Sequence, residues 1–225
     1  MIRTLALLLV ASAGLIAGQN FYGDSPDSGD DVITARDARG DAITAYNLYD
    51  GHSHGIKVTR SNARGGVLWS QKHSENLYEK AYDAALDSSG NAYIAGVRKL
   101  YERKFFLLIK FTRNGHEEWS RADDQYDCTA VGVVVDGQND ILVAGVCRHG
   151  PHNHPARLVK YNADGARLWA QEYDGGGRNY VRGLHFDGEG NLSLSIETIF
   201  GNYRDGSYET RTVLYDRDGR QLEVR

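Results

Sequence analysis

Histidine is the residue type whose spacing most directly suggests chemistry in this chain. Five of the 8 histidines fall in two short segments, His52 with His54, and His149 with His152 and His154. Neutral imidazole nitrogens bind Zn²⁺ and Cu²⁺, and short His-rich tracts are typical of such binding. The second segment therefore predicts a zinc or copper site, or else a loop of solvated histidines, because its spacing matches no standard structural zinc motif.

Tyrosine is the second candidate residue type. Six of the 14 tyrosines lie in or beside segments that vary most between otherwise similar parts of the chain: Tyr49, Tyr101, Tyr126, Tyr180, Tyr203 and Tyr208. Tyrosine gives a large, rigid, amphipathic contact area at low entropic cost. These residues predict a surface that binds a protein, a peptide or a glycan. The alternative is that they only cover the edges of β-sheets.

No recognised catalytic motif accompanies these side chains. The sequence lacks a Gly-x-Ser-x-Gly elbow, a His-Glu-x-x-His pair and a phosphate-binding glycine loop followed by a helix. Glu79, Arg178 and Asn179 fall near predicted strand starts where they could line a channel, but nothing marks them as catalytic. The sequence favours a binding protein over an enzyme. A metal-binding protein or a metal-dependent hydrolase or lyase using residues 149–154 is the alternative.

A sequence repeat must position all of these residues. Trp69, Trp119 and Trp169 are spaced fifty residues apart. Two phrases accompany each tryptophan in the same order, and examples of them are Leu86-Asp-Ser-Ser-Gly-Asn-Ala-Tyr-Ile-Ala-Gly96 and Val159-Lys-Tyr-Asn-Ala-Asp-Gly-Ala-Arg-Leu-Trp169. A fixed period of this length indicates a repeat architecture. The four units run over 24–73, 74–123, 124–174 and 175–225.

Each phrase predicts a β-hairpin, because two apolar or alternating runs flank a turn rich in Asp, Asn and Gly. Two hairpins give each unit four antiparallel strands, here named A to D. Four strands in about 50 residues is the size of one propeller blade. The predicted fold class is therefore all-β, a β-propeller built of four four-stranded blades. One sheet cannot bury both faces alone, so we expect neighbouring units to stack, with the tryptophans covering the seams.

The two phrases resemble the seven-bladed β-propeller (SBBP-type) repeat family, whose pattern runs Val-Asp-Ser-x-Gly-Asn-x-Tyr-Val-x-Gly and then Lys-Tyr-Asn-x-x-Gly-x-x-x-Trp. The resemblance implies a propeller, yet this chain holds four units. We expect a closed four-bladed disc, an open array, or a homodimer that forms an eight-bladed ring. The Gly-x-x-x-Trp part also resembles quinoprotein propeller repeats, but no pocket of cofactor ligands is recognisable.

In a propeller, the B–C and D–A connections emerge on one face. The B–C segments are 47–55, 98–104, 148–155 and 199–209, and they differ in length and composition while the turns between other strands are short and alike. Variable loops on a rigid scaffold are where recognition is usually located. The sequence therefore predicts ligand binding through the B–C and D–A face.

The 2 cysteines, Cys128 and Cys147, both lie in the third unit. If its A–B turn is Asp136–Asn139, Val135 pairs with Asp140 and the same register sets Cys128 opposite Cys147. Directly opposed Cβ atoms lie about 4.5–5.5 Å apart, which approaches disulfide geometry. We predict a structural disulfide. Two buried thiols are the alternative if the turn differs by one residue.

The N-terminus predicts export. Arg3 precedes the apolar run Leu5–Gly18, which is too short to cross a bilayer that needs about 20 residues. Gln19 stands where a lipoprotein needs cysteine. We expect a cleaved signal peptide over 1–18, a flexible acidic lead-in over 19–31 and the repeat domain over 32–225. The mature chain is then periplasmic or secreted, with no lipid anchor and no membrane span.

The charge balance is mildly acidic, with 26 basic and 30 acidic side chains. No nucleic-acid partner is expected from this balance. Basic residues do gather at Arg98, Lys99, Arg103 and Lys104. A solvated loop is the ordinary explanation of such a cluster, and an anion-binding groove is the alternative.

Overall fold

The computed structural model describes residues 32–49, 54–73, 77–123, 127–150, 153–201 and 206–225. The predicted signal peptide, 1–18, and lead-in, 19–31, lie outside the described residues. None of the described residues forms a helix of the length and apolarity that a membrane crossing requires.

Within these described ranges, sixteen strands form four sheets. Sheet 1 contains β1 to β4, which are Val32–Arg36, Ala42–Tyr49, His54–Ser61 and Val67–His73. Sheet 2 contains β5 to β8, which are Tyr78–Leu86, Ala92–Leu100, Arg103–Phe111 and Glu117–Asp123. Sheet 3 contains β9 to β12, which are Cys128–Val135, Ile141–Cys147, Ala156–Tyr161 and Arg167–Tyr173. Sheet 4 contains β13 to β16, which are Arg178–Phe186, Leu192–Phe200, Ser207–Tyr215 and Gln221–Val224.

Each sheet pairs its strands in chain order, and every pair is antiparallel. The four strands of a sheet are therefore the predicted strands A to D of one repeat unit. The prediction of an all-β chain with four four-stranded antiparallel sheets is confirmed.

The A–B and C–D turns explain the recurring sequence phrases. In the first A–B turn, Asp37 Oδ1 accepts hydrogen bonds from the backbone N–H groups of Arg39 at 2.9 Å and Asp41 at 3.0 Å. Gly40 then takes a left-handed conformation with φ of 85°. Asp and Gly suit these two positions because one accepts the turn's N–H groups and the other has no Cβ to clash.

In the part of the chain that the structure describes, three hydrophobic cores join the sheets in chain order. Each core lies between two successive sheets, and representative side chains are Ile43, Val58, Ile94 and Leu107 for sheets 1 and 2, Tyr93, Leu108, Val133 and Val143 for sheets 2 and 3, and Leu142, Leu158, Leu184 and Leu194 for sheets 3 and 4. No core among the described residues joins sheet 4 to sheet 1.

The tryptophans of the repeat fasten each sheet to the next. Trp69 Nε1 donates to the Arg113 carbonyl at 2.8 Å, and Trp169 Nε1 donates to the Arg217 carbonyl at 3.2 Å. Trp119 makes the same bond to Ala163. Each acceptor lies in the C–D turn of the following sheet, so the predicted role of the tryptophans at the seams is confirmed.

The two ends of the stack are polar where the inner faces are apolar. On the face of sheet 4 that points away from sheet 3, the cross-strand row is His185, Ser193, Leu214 and Glu223. The corresponding row of sheet 3 is Val134, Leu142, Lys160 and Trp169, and its three apolar members pack in the core shared with sheet 4. The outer face of sheet 1 carries the row Thr34, Thr44, Thr59 and Ser70. Polar outer faces are typical of terminal repeats that face water.

Asp83 makes a buried polar link between sheets 2 and 3. Its Oδ2 accepts a hydrogen bond from the backbone N–H of Val133 at 2.9 Å, and its Oδ1 accepts one from Ala84. Burial raises the pKa of Asp83 to about 6, against the opposing effect of these two N–H donors. The protonated carboxyl is therefore favoured in the folded state, and its contribution to stability is lost as the pH rises from about 4 to about 6.

The substitution Asp83→Asn tests this linkage because an amide does not titrate. We expect the free energy of unfolding of the variant, relative to the parent, to rise by up to roughly 3 kcal/mol between pH 4 and pH 7. Urea denaturation at several pH values measures the difference. A constant difference across that range would contradict the assignment.

Two left-handed turn glycines test the seam. Gly165 and Gly65 lie in the C–D turns of sheets 3 and 1 with φ of 79° and 84°, and a Cβ would lie 3.0 Å from the Trp119 ring at Gly165 but would meet nothing within 4 Å at Gly65. We expect Gly165→Ala to lower the free energy of unfolding by about 1–2 kcal/mol more than Gly65→Ala, because both variants strain left-handed backbone but only the first crowds the indole ring. Urea denaturation measures both losses, and an equal loss in the two variants would refute the explanation.

Candidate functional site

The B–C and D–A connections lie at the same end of every sheet, because strands A to D alternate in direction. We call this end the loop edge. Tyr49, Tyr101, His149 and Tyr208 lie on it, one for each sheet in order. The stack therefore brings segments about fifty residues apart in sequence to one surface.

An aromatic cluster occupies the loop edge where sheets 1 and 2 meet. Tyr49 and His54 are cross-strand partners, and their rings stack at 4.5 Å between centroids. Tyr78, at the start of sheet 2, also contacts His54, with ring centroids 4.3 Å apart and the rings tilted by 47°. Asn47 holds the two sheets together here, since its amide accepts from the Ala81 N–H at 2.7 Å and donates to the Ala81 carbonyl at 3.1 Å.

A basic loop follows where sheets 2 and 3 meet. Asp127 Oδ1 accepts from the backbone N–H of Lys104 at 2.8 Å, and its Oδ2 lies 3.3 Å from Arg148 Nη2. One carboxylate thus ties the start of β7 to the segment that follows β10, because the Lys104 backbone and the Arg148 side chain both bind it. Tyr101 caps this loop with φ of 54° and is 88% exposed. Lys104 of the predicted basic cluster lies on this surface, whereas the Arg98 side chain binds Glu79.

A buried charged network underlies the junction of sheets 1 and 2. His73 Nε2 lies 3.2 Å from Glu79 Oε2, and His73 Nδ1 lies 3.0 Å from Glu117. Arg98 Nε donates to Glu79 Oε1 at 2.6 Å. Burial alone opposes a charged His73, but its bonds to Glu79 and Glu117 outweigh this effect and raise the pKa of His73. The same imidazole and the Arg98 guanidinium lower the pKa of Glu79 against its own burial.

This network was not predicted, because its members come from four different strands. His73 is 3% exposed and Glu79 is 1% exposed, so a molecule in solution has little access to either side chain. The arrangement is that of an internal ion network that locks two sheets together.

Glu79 and Arg98 also occupy two facing positions that recur in the following repeat units. At the open end of the A–B hairpin in sheets 2, 3 and 4, one cross-strand pair fastens strand A to strand B. The fastening pairs are the ion pair Glu79–Arg98 in sheet 2, the disulfide Cys128–Cys147 in sheet 3 and the hydrogen bond Asn179–Thr198 in sheet 4. The predicted disulfide is confirmed, and its place in the series shows it to be one of three ways to close the same hairpin end.

The reasoning that led to the disulfide was wrong in its register. The A–B turn of sheet 3 includes Asp140, because Asp136 N–H bonds to the Asp140 carbonyl and Val135 pairs with Ile141. A β-bulge between Ala144 and Gly145 then shifts the pairing by one residue and restores Cys147 opposite Cys128. Two departures from the simple hairpin cancel.

The structure separates the predicted metal-binding histidines. His149 Nε2 lies 3.7 Å from Glu172 Oε1, beside Cys147. The His154 carbonyl accepts from the Asn179 side chain at 2.9 Å, and His54 belongs to the aromatic cluster. Cys147, His149 and Glu172 are the one group of three potential metal ligands among the described residues. His52 and His152 lie outside the described residues.

The predicted tyrosines also divide. Tyr49 is 59% exposed, Tyr101 88% and Tyr208 76%, so the loop edge presents an open phenol ring at sheets 1, 2 and 4. Tyr180 is 5% exposed, with the Arg182 guanidinium 5.2 Å from its ring centroid, and offers little surface to a ligand. Tyr126 and Tyr203 lie outside the described residues.

Comparison with known proteins gives a fold likeness only. No protein-family model matches the chain. No curated protein matches it either. The structure is similar to that of a polysaccharide lyase of family PL25, an ulvan lyase bound to -[GlcA(1-4)Rha3S]-, with a TM-score of 0.54 and 12% identity over 90% of this chain and 59% of that chain. A tail fibre of a Staphylococcus aureus phage matches with a TM-score of 0.31 and 11% identity, over 82% of this chain and 50% of that chain.

This chain thus spans about six-tenths of the length of the lyase that it resembles. At 12% identity, the likeness concerns the fold alone. Together with the repeated four-stranded sheets, it fits a β-propeller-like repeat fold. No family match supports the SBBP-type family in particular.

The fastening pairs can be tested by removal. Cys128 and Cys147 close a hairpin with a sequence separation of 19, for which chain-entropy arguments give about 3 kcal/mol. We expect the double variant Cys128→Ser/Cys147→Ser to lose about that free energy of unfolding in urea. Thr198→Val in sheet 4, which removes one hydrogen bond, is expected to lose only about 1 kcal/mol. Equal losses in the two variants would contradict this ranking.

Proposed function

We propose that the chain is an exported binding module that recognises an anionic polysaccharide along its loop edge. The carrying observation is the alternation on one edge of open aromatic rings and cations. Tyr49 with His54 comes first, Tyr101 with Lys104 and Arg148 follows, and Tyr208 lies at the far end.

The chemistry of these side chains suits a charged sugar polymer. Aromatic rings offer flat apolar surface to the C–H faces of sugar rings, and the phenol hydroxyl adds a hydrogen-bonding group at the rim. Lysine and arginine bind carboxylate and sulfate groups, the arginine through two parallel N–H donors. A neutral glycan gains nothing from the cations, so this combination favours a uronate or sulfated polymer.

The spacing of the rings favours an extended ligand over a single sugar. Stacked sheets lie about 10 Å apart, so rings on sheets 1, 2 and 4 are separated by several sugar units. Binding several weak subsites in one polymer raises the overall affinity because each later contact is intramolecular. We therefore expect affinity to increase with the length of the oligosaccharide.

The fold likeness supports the ligand class. The ulvan lyase was solved with a polymer of glucuronic acid and sulfated rhamnose, which is an anionic polysaccharide. The lyase activity forms no part of this proposal. A metal-dependent hydrolase or lyase at residues 149–154 remains the alternative function.

The proposal includes an open β-propeller-like array outside the cytoplasm. The polar rows on the outer faces of sheets 1 and 4 favour ends that face water over a closed four-bladed disc or a ring shared between two copies. The Cys128–Cys147 disulfide is compatible with an oxidising compartment, as the apolar run in 1–18 suggests.

Binding to ulvan and polygalacturonate, compared with neutral dextran, tests the proposal by isothermal titration calorimetry. We expect the parent to bind both anionic polymers and not dextran, with affinity falling as salt is raised, because salt screens exposed charges. Tyr49→Ala and Lys104→Gln are each expected to weaken binding at least fivefold. Lys104→Gln keeps the backbone N–H that holds Asp127, so the loop stays in place.

The matched controls are Tyr46→Ala and Lys57→Gln. These two residues are cross-strand partners on the outer face of sheet 1, and both are exposed. The two substitutions remove one phenol ring and one cation at positions that lie away from the loop edge, so we expect the affinity to stay unchanged. The proposal fails if the parent binds neither anionic polymer, or if the controls weaken binding as much as the loop-edge variants.

A further inference from the structure

We infer that reduction of the Cys128–Cys147 disulfide opens a transition-metal site made of Cys128, Cys147, His149 and Glu172. This inference is independent of glycan recognition. It also differs from the predicted histidine site, because its donors come from three strands of sheet 3 and from the β10–β11 loop, which supplies the single histidine.

The geometry brings the donors together before any metal is present. Cys147 Sγ, a His149 ring nitrogen and a Glu172 carboxylate oxygen all lie within 4.8 Å of one another. Cys128 Sγ is bonded to Cys147 Sγ and so reaches the same place. Cys128 and Cys147 end the A–B hairpin, and Glu172 comes from β12 two strands away, so only the folded sheet assembles this set.

The donor set suits zinc. Zn²⁺ prefers four tetrahedral ligands chosen from thiolate, imidazole and carboxylate, at about 2.0–2.3 Å. Donors within 4.8 Å of one another need to close by little more than 1 Å to meet a common ion at those distances. His149 and Glu172 both reach the solvent, which gives an ion a way in.

A neighbouring arginine orients Glu172 and partly offsets the negative charge of the proposed ligands. Arg157, which is 5% exposed, donates from Nη1 to Glu172 Oε1 at 2.9 Å and lies 3.3 Å from Asp123 through Nη2. Hydrogen-bonded carboxylates are typical of metal sites, because the outer partner orients the ligand. Two thiolates, one carboxylate and Zn²⁺ carry a net charge of −1, which the guanidinium partly balances.

The oxidation state of Cys128 and Cys147 controls whether this site can bind a metal ion. In the disulfide neither sulfur is a thiolate, so His149 and Glu172 alone are too few to hold zinc. Reduction by a phosphine adds two electrons and two protons to the disulfide, and the phosphine takes the oxygen of one water to become its oxide. Zn²⁺ then binds both sulfurs and releases the two protons.

The other sheets show that a hairpin end can be fastened without cysteine. Sheet 2 uses Glu79–Arg98 and sheet 4 uses Asn179–Thr198, neither of which responds to reduction. Sheet 3 alone among these three carries a fastening that can open, and metal donors lie directly beside it. A reduced protein that binds zinc would regain a crosslink at the same position.

Zinc titration against a chromophoric chelator tests the inference, using the full mature chain before and after treatment with tris(2-carboxyethyl)phosphine. We expect one Zn²⁺ per reduced chain, bound at least 100-fold more tightly than by the oxidised chain. Co²⁺ in place of zinc is expected to give a thiolate-to-metal absorption band only after reduction.

Two variants locate the ion in the folded sheet. His149→Ala and Glu172→Gln are each expected to weaken zinc binding to the reduced protein at least tenfold, while His154→Ala leaves it unchanged. Far-ultraviolet circular dichroism checks that each reduced variant keeps its strands. Glu172 meets the cysteines only through folding, so an unfolded reduced chain would bind zinc without regard to Glu172→Gln, and that outcome overturns the site.

Three further results would also overturn it. They are equal zinc binding by the oxidised and reduced chains, no zinc binding by the reduced chain, and a loss in His154→Ala as large as that in His149→Ala. The last result would assign the ion to the histidine tract.

Discussion

The structure depends on one contact made three times, an indole ring on the C–D turn of the following sheet. A four-stranded sheet of this size buries one face at best and is unstable alone, so each sheet needs the next. Trp69, Trp119 and Trp169 meet that need at a fixed place, where the ring covers a turn glycine and the indole N–H binds a turn carbonyl. Because the contact is directional, it sets the register of successive sheets as well as their separation.

Register between sheets is what creates a common loop edge. If successive sheets could slide or rotate freely, Tyr49 of sheet 1 and Tyr78 of sheet 2 would not both contact His54. The Asn47 amide and the Asp127 carboxylate add polar links at this edge, each bonded to backbone of the neighbouring sheet or loop. The variable loops are thus held by the repeated geometry of the sheets and by specific side chains at the loop edge.

Repeats made the fold predictable, while long-range contacts limited prediction of the site. Turn residues and apolar alternation are local signals, so the four sheets and their boundaries follow from the sequence. The disulfide was predicted correctly because a longer turn and a β-bulge cancel, and neither is visible in a simple pairing rule. His73 with Glu117, and His149 with Glu172, join residues from different strands or sheets, so spacing along the chain could not reveal them.

The tyrosines show the same limit on prediction from the sequence. Tyr101 and Tyr180 both sit near predicted connections, yet one is open and the other is covered. Tyr180 pairs across the strands with Glu197 and receives Arg182 over its ring, so its environment depends on partners that only the sheet supplies. The composition of the loops was enough to predict the loop edge, but only the structure shows which tyrosines on that edge are exposed.

Carboxylates of the A–B and C–D turns are engaged by backbone N–H groups and by buried cations. Asp37, Asp136 and Asp216 accept backbone N–H groups. Lys160 of strand C lies 3.0 Å from Asp136. Turn chemistry therefore accounts for part of the acidic excess of the chain. The loop edge carries charges of both signs, because Arg148 pairs there with Asp127 and the exposed Glu102 follows Tyr101. The proposed recognition of a polyanion therefore rests on individual contacts with Lys104 and Arg148 and not on the net charge of the chain.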